Sequence, residues 1–385
     1  MNNIIKKLRK EKHISQDDLS RLTGLNRKTI SNIENGISSP SIDTATKIAE
    51  AFELAVSQVF FETDQVGSSV SFPGDTVKYI DLFCGIGGFR YAANRVFDQM
   101  GLKGECVYSS DIDKYAQDSY AANFGERPDG DITKVNASDI PDFDVLFAGF
   151  PCQAFSIIGK REGFEDKTRG TLFFDIARIL KEKKPRAFVL ENVKQLASHN
   201  GGRTIQTIME TLRDELGYYV EYKVLNALDY GLPQKRERIL IVGYKEPFAM
   251  SWPSPVENGK KLEDILEKKV DQKYFASDEI VKKRKAAHTS KYQPSIWHEN
   301  KSGNISSYPY SCALRAGASY NYLLVDGERR LTPREMLRLQ GFPDSFKIVV
   351  SDCQARKQAG NSVPIDMVAA VMGEFFPIVF GVQEK

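Results

Sequence analysis

Two different hydrophobic periods run along the chain. In residues 1–62 the apolar positions recur every three or four residues, the spacing of short helices. Ile4, Ile5 and Leu8 form one stripe, flanked by Lys6, Lys7, Arg9, Lys10 and Lys12. Ser15, with Asp18 three residues on, predicts an N-cap. Leu19 and Leu22 are expected to be the buried face of that helix, and Gly24 its left-handed stop. A third helix is predicted from Asn26 to about Glu34, with Ile30 and Ile33 inward and Asn35-Gly36 ending it. A fourth spans Ile42 to Phe52. Residues 63–76 are polar and carry Gly, Ser and Pro, which reads as a linker.

From Val77 the pattern changes to continuous apolar runs. VKYIDLF, ECVYSS, DVLFAGF, RAFVLENV and RILIVGY read as buried strands. RYAANRVF, TLFFDIARILKEKK and TIQTIMETLRDEL lie between them with helical spacing. Strand and helix alternating in this way predict an α/β fold, with a mostly parallel sheet covered on both faces. Residues 255–330 lose the rhythm, being Lys-rich and then rich in Ser, Gly and Tyr. It returns at MVAAVMGEFFPIVF, a C-terminal helix.

Composition matters here for what it excludes. A chain of 385 residues suggests two or three domains of ~100–200 residues each. Lys plus Arg number 53 against 51 Asp plus Glu, a net charge of +2, so this is no polybasic tail protein. No stretch approaches the ~18 apolar residues of a membrane span, and the first residues lack the apolar segment of a secretory signal. The five cysteines, Cys84, Cys106, Cys152, Cys312 and Cys353, are widely spaced and form no CxxC pair. That argues against a disulfide framework or a zinc site, and for a reducing cytoplasm. No metal is expected.

Candidate site residues fall at the ends of the apolar runs. Asp81, Phe83, Gly85, Gly87 and Gly88 make a Gly-rich turn between a strand and a helix, allowing close backbone approach to a ligand. Such a turn serves NAD, a nucleotide or mere packing. No Lys-Ser/Thr follows, so it is not a P-loop, and GxGG lacks the full dinucleotide fingerprint. Asp111 ends the second strand, where a carboxylate can accept ribose hydroxyls. Asp131 could accept from an adenine amino group, with Ile132 packed on the ring. An adenosine bearing no phosphate suits this set, and S-adenosylmethionine fits. Cys152 sits in a Pro-Cys-Gln turn closing the third strand. Glu191 ends another strand, and Arg236 and Arg238 lead into the last. These last three clusters can converge on one sheet edge.

SQDDLSRLTGLNRKTISNIENG resembles the helix-turn-helix of phage-repressor-like DNA-binding domains. That resemblance implies that the third helix enters the major groove, with Asn26, Arg27, Lys28 and Asn32 reaching base edges and Gln16 contacting phosphate. A dimer on a palindromic site is the expected form. The alternative is a helical dimerisation or docking module.

DLFCGIGGF, GFPCQAFS, ENV, QKRERI, LTPREMLRLQGFPDSF and QAGNSV occur in the order found in bacterial DNA (cytosine-5)-methyltransferases, which this sequence resembles from about Val77 to its C-terminus. The resemblance implies a Rossmann-like S-adenosylmethionine-dependent methyltransferase sheet with a smaller target-recognition domain. It makes Cys152 the nucleophile that adds to carbon 6 of cytosine, Glu191 the group at the N3 side and Arg238 the donor to the O2 oxygen, with Arg236 its companion. Ile112 stands where an aromatic residue often stacks on adenine, and Asp111 where Glu is common. Leu172, Asn361 and Ser362 resemble cofactor-side contacts. Ser156 opens a segment resembling the loop that closes over flipped DNA.

The expected domains are 1–62, a helix-turn-helix; 63–76, a linker; 77–262, the first catalytic part; 263–332, target recognition; and 333–385, a hinge and the rest of the catalytic domain. In the recognition region Lys282, Lys283, Arg284, Lys285 and Lys291 suit phosphate contact, and Arg315 a base edge. Ala313-Leu314 replaces the family's usual Thr-Leu. The expected partners are double-stranded DNA, at a target site and at an operator, and a cognate restriction endonuclease without a stable complex. An RNA cytosine methyltransferase and a regulator with a vestigial methylase domain are the alternatives.

Overall fold

The computed structural model describes residues 2–3, 5–12, 14–35, 38–52, 54, 56–61, 74–151, 172–319 and 321–381. They fall into two compact units. The smaller holds the N-terminal residues and Pro247–Ser251, and the larger holds the rest.

The smaller unit consists of α1 (Ile5–Glu11), α2 (Gln16–Thr23), α3 (Arg27–Glu34), α4 (Ile42–Ala51) and α5 (Val56–Val59), with β1 (Asn2–Asn3) paired antiparallel to β2 (Phe60–Phe61). Ser15 caps α2 in a full capping box: its hydroxyl accepts the Asp18 N–H, and the Asp18 carboxylate accepts the Ser15 N–H at 2.9 Å. Gly24, at φ 66°, ends the helix. Leu19, Ile30, Ile33, Ile48 and Phe52 are buried together. Leu22 departs from expectation: it is 63% exposed, while Thr23 is buried in its place. The inward stripe of α2 follows the four-residue step from Leu19, which turns Leu22 to solvent.

The larger unit opens with β3 (Thr76–Leu82), α6 (Gly88–Met100), β4 (Lys103–Ser110), α7 (Lys114–Phe124), β5 (Val145–Gly149), α8 (Leu172–Lys183), β6 (Ala187–Val193), α9 (Arg203–Glu210), β7 (Tyr219–Asn226), β8 (Gln234–Lys235) and β9 (Glu237–Tyr244). Six strands form one sheet in the order β4-β3-β5-β6-β9-β7. β4, β3, β5 and β6 are mutually parallel, and β9 runs antiparallel to both its neighbours. The chain leaves β3 toward one side and β5 toward the other. Their carboxyl ends therefore border the crevice where open α/β sheets bind ligands.

One sheet face carries Ile80, Leu82, Leu146, Phe188, Leu190 and Ile241, buried with Phe173, Ile176 and Leu180 of α8 and Ile205 and Ile208 of α9. The other face presents Tyr79 and Phe147, whose rings lie 5.2 Å apart. There Phe97 of α6 stacks on Phe376 at 4.8 Å. Each such buried ring contributes ~1.5–3 kcal/mol, so α6 is held firmly beneath the Gly-rich turn that starts it.

The remaining elements are α10 (Leu262–Ile265), α11 (Asp278–Ala287), β10 (Ile296–Glu299), β11 (Ile305–Tyr308), β12 (Ser311–Cys312), β13 (Leu323–Val325), α12 (Pro333–Leu339), α13 (Asp352–Asn361) and α14 (Ile365–Phe380). β11, β10 and β13 form a small antiparallel sheet. β12 instead joins β8 in parallel, which stitches the recognition region onto the QKRER segment.

Candidate active site

The Gly-rich turn is shaped by backbone that few side chains tolerate. Phe83, Gly85 and Gly87 have φ of 54°, 55° and 84°. A Cβ on Gly88 would lie 2.7 Å from Val363 Cγ2 and 2.9 Å from Ser362 Oγ, so the turn packs directly on the Asn361-Ser362-Val363 segment. Asp111 braces the turn from β4: one carboxylate oxygen accepts the Gly85 N–H and the other the Asp113 N–H, each at 2.8 Å. Burial, opposed by these two bonds, pushes its carboxyl upward. An ionised carboxylate has about four acceptor positions, so two remain for hydroxyl donors. Ile112 beside it is 74% exposed, a large apolar side chain open to a flat ring. Asp81 is fully buried, its two oxygens lack hydrogen-bond partners, and burial pushes its carboxyl to about 8. A close-packed glycine turn, spare hydroxyl acceptors and an open apolar side chain suit an adenosyl ligand. Leu172 starts α8, and Asn361 is exposed at the end of α13.

Of the residues expected around the adenine, Ile132 is buried in the sheet core with Leu82 and Phe150. Asp131 caps the turn that follows, its Oδ1 accepting from Thr133 N at 3.1 Å and Thr133 Oγ1 at 2.7 Å. Those bonds hold its carboxyl low.

At the same sheet edge, register sets Gly149 opposite Glu191 and Val193 opposite Arg238. Arg238 Nε donates to Glu191 Oε1 at 2.8 Å, both side chains being largely buried. Burial pushes the Glu191 carboxyl up, against the pull of Arg238 and Arg236. Asn192 Nδ2 donates to the Phe150 carbonyl at 2.8 Å and fixes the chain entering Pro151. The edge thus presents a buried carboxyl and a guanidinium side by side.

Arg236 is not the pocket companion expected from the sequence. Its Nη1 donates to Leu314 O at 3.0 Å, and its Nη2 to Gly360 O at 3.0 Å and Ser362 O at 2.7 Å. Burial, with Arg238 nearby, lowers its pKa. Three carbonyls occupy it, so it positions backbone. Gln234, which sequence reasoning passed over, holds the same segment, its Oε1 accepting the Leu314 N–H at 2.9 Å. Its only sequence signal was membership of the QKRER run.

In the recognition region Arg315 is exposed and lies 4.9 Å over the Tyr322 ring. Lys282 and Lys283 are exposed. Arg284 is not available to phosphate: it is buried, bonded to Glu299 at 2.5 Å and to the Asn321 carbonyl at 2.6 Å. Lys285 pairs with Glu328.

On the smaller unit, Arg27 and Lys28 are exposed at the start of α3, as is Thr29, which the sequence did not single out. Asn32 is half-buried. Asn26 is a cap rather than a free reader, its Oδ1 accepting the Lys28 N–H at 2.8 Å. Gln16 is likewise engaged: its amide donates at 3.1 Å to Glu34, which also pairs with Arg9.

Cys152 and Ser156 lie outside the described residues. Of the other cysteines, Cys84, Cys106 and Cys312 have thiols raised by burial, Cys106 to about 12, and Cys353 is exposed.

Comparison with known proteins adds to this geometry. The family described as C-5 cytosine-specific DNA methylase matches residues 77–376, and a helix-turn-helix family matches residues 5–58. The Type II methyltransferase M.NgoBI of Neisseria gonorrhoeae is 57% identical over 296 residues, covering 76% of this chain and 91% of its own. The Type II methyltransferase M1.ScrFI of Lactococcus lactis subsp. cremoris is 40% identical over 389 residues, covering 98% and 95%. Among solved structures, the Dnmt2 methyltransferase of S. pombe shares the fold, with a TM-score of 0.58 at 19% identity over 77% of this chain and 97% of its own.

Proposed function

The chain belongs to the C-5 cytosine-specific DNA methylase family, and we propose that it methylates a flipped-out cytosine in a specific duplex site through a covalent adduct on Cys152. As a DNA (cytosine-5-)-methyltransferase with Type II relatives, it would protect the target sites of a cognate restriction endonuclease. The observation that carries the catalytic reading is the buried Glu191–Arg238 pair at the crevice edge.

Carbon 5 of cytosine is a poor nucleophile until the ring is charged. A thiolate from Cys152 adding to carbon 6 makes the ring an enamine, and a thiol leaves readily afterwards. Negative charge then builds toward N3 and O2. Glu191, its carboxyl pushed up by burial, shares a proton with N3 as that charge develops. Arg238, already oriented by Glu191, donates to O2 as a preorganised electrostatic stabiliser. The cofactor S-adenosylmethionine, held by Asp111, Ile112 and the Gly-rich turn, supplies when bound the electrophilic methyl group that carbon 5 accepts. Water takes the carbon 5 proton, and Cys152 is expelled. The base must leave its stack first, at a cost of a few kcal/mol.

The N-terminal unit is read as an autoregulatory repressor acting as a dimer on an operator. Its helix-turn-helix match and the exposed Arg27 and Lys28 support this. Bisulfite sequencing of duplex DNA treated with the protein tests the catalytic reading. One cytosine in a fixed sequence should be protected, and Cys152→Ser should lose that protection while still binding DNA. A Cys152→Ser protein with near-normal turnover would end the mechanism.

A further inference from the structure

The backbone of one residue, Leu314, is held at both its N–H and its carbonyl by the QKRER segment. Gln234 Oε1 accepts its N–H at 2.9 Å, and Arg236 Nη1 donates to its carbonyl at 3.0 Å. Both side chains are almost wholly buried. Arg236 then turns its other terminal nitrogen to the carbonyls of Gly360 and Ser362. A Cβ on Gly360 would lie 2.5 Å from Ala316 N and 2.8 Å from Arg315 C, so this segment also touches the recognition loop directly. On its far side, Ser362 and Val363 close on Gly88 of the cofactor turn. An unbroken path of close contacts, backbone at Gly360 and side chain at Ser362 and Val363, therefore runs from Arg315 to the Gly-rich turn.

We infer that Gln234, Arg236 and Gly360 are positioning residues that couple target-DNA engagement to cofactor binding, with residues 360–363 as the shared wedge. The inference rests on the methyltransferase reading above. A ligand that orders the wedge from one side spares part of the ordering cost for the ligand on the other. The coupling must be reciprocal. Neither Arg236 nor Gly360 needs to touch a reacting atom for this.

The test is calorimetric titration of S-adenosylhomocysteine into the full-length protein, alone and saturated with a duplex bearing the site found by bisulfite sequencing. The wild type should bind at least about five-fold more tightly with the duplex, the lower end of usual coupling. Arg236→Lys keeps the charge but cannot serve three carbonyls. Gly360→Ala pushes the wedge off the loop by a different route, through its added methyl group. In each, the ratio should fall toward one while affinity for S-adenosylhomocysteine alone stays near wild type. Either variant that folds, as judged by circular dichroism, suffices. A wild-type ratio of one, or a wild-type ratio retained in a folded variant, overturns the inference. A wild type that methylates no cytosine would instead bring down the functional reading.

Discussion

Arginine is used in opposite ways at the sheet edge and at the start of α3. Arg238 is 14% exposed and fixed at 2.8 Å from Glu191. Arg27 is 64% exposed and pairs with Asp17 at 3.5 Å. The first arrangement pays its desolvation cost during folding, so a charge developing nearby meets a ready donor. The second is an exposed pair worth ~0–1 kcal/mol, easily exchanged for phosphate or a guanine edge. Chemistry calls for charges set in advance, whereas reading DNA calls for charges free to change partner.

The hardest strain on this contrast comes from removing the fixed charges. Arg238→Ala strips the oxyanion donor and leaves a buried carboxyl unpaired, so kcat should fall ~10²–10³-fold. Glu191→Gln cannot pass a proton and should lose ~10²–10⁴-fold. Because burial raises the Glu191 pKa, wild-type kcat should decline as pH rises through that raised value. The Gln variant should lack that descending limb. A Gln variant keeping both turnover and limb would break the assignment.

A second buried charge gives a signal in stability. The Asp81 carboxyl is raised from 3.8 to about 8 by burial. The native state thus binds its proton more tightly than the unfolded chain does. The resulting stabilisation is complete below about 3.8 and is lost as pH rises through about 8. Asp81→Asn should escape that loss, so the melting temperature of the variant minus that of wild type should climb from pH ~4 to ~9. A flat difference would mean that Asp81 is compensated.

Smaller effects are expected on α3. Arg27→Ala with Lys28→Ala should cost ~1–3 kcal/mol per lost base contact in gel-shift assays on an operator, with methylation of the target site unchanged. Loss of methylation as well would make the unit part of substrate engagement. Smallest is the difference between the two asparagines. Asn26→Ala should lower stability by about 1 kcal/mol through the lost cap, whereas Asn32→Ala should lower operator affinity and leave the melting temperature alone.

The sequence revealed those strands whose residues are buried on both faces, because Val145–Gly149 or Ala187–Val193 reads as an unbroken apolar run. It hid β7, an edge strand where Tyr222, Lys223 and Val224 are exposed. It also hid the recognition sheet, whose strands span three or four residues. Glu191 and Arg238 were legible as neighbours from residue type and order, since each lies where an apolar run meets a polar cluster. What spacing could not reveal was occupancy. Arg236 and Arg284 each sit in a charged run, and only tertiary contacts show their guanidinium groups bonded to backbone carbonyls. Asn26 had the same ambiguity, since a residue good at reading adenine is also good at capping a helix.

One covalent bond, from the Cys152 sulfur to the target base, is central to the proposed chemistry. A duplex carrying 5-fluorocytosine at the target position stalls the reaction after methyl transfer, because fluorine cannot leave as a cation. Peptide mass mapping of the trapped complex, formed with S-adenosylmethionine present, should find the modified base on Cys152 alone. An adduct on Cys84, Cys106, Cys312 or Cys353, or turnover stalled with no adduct, would contradict the mechanism.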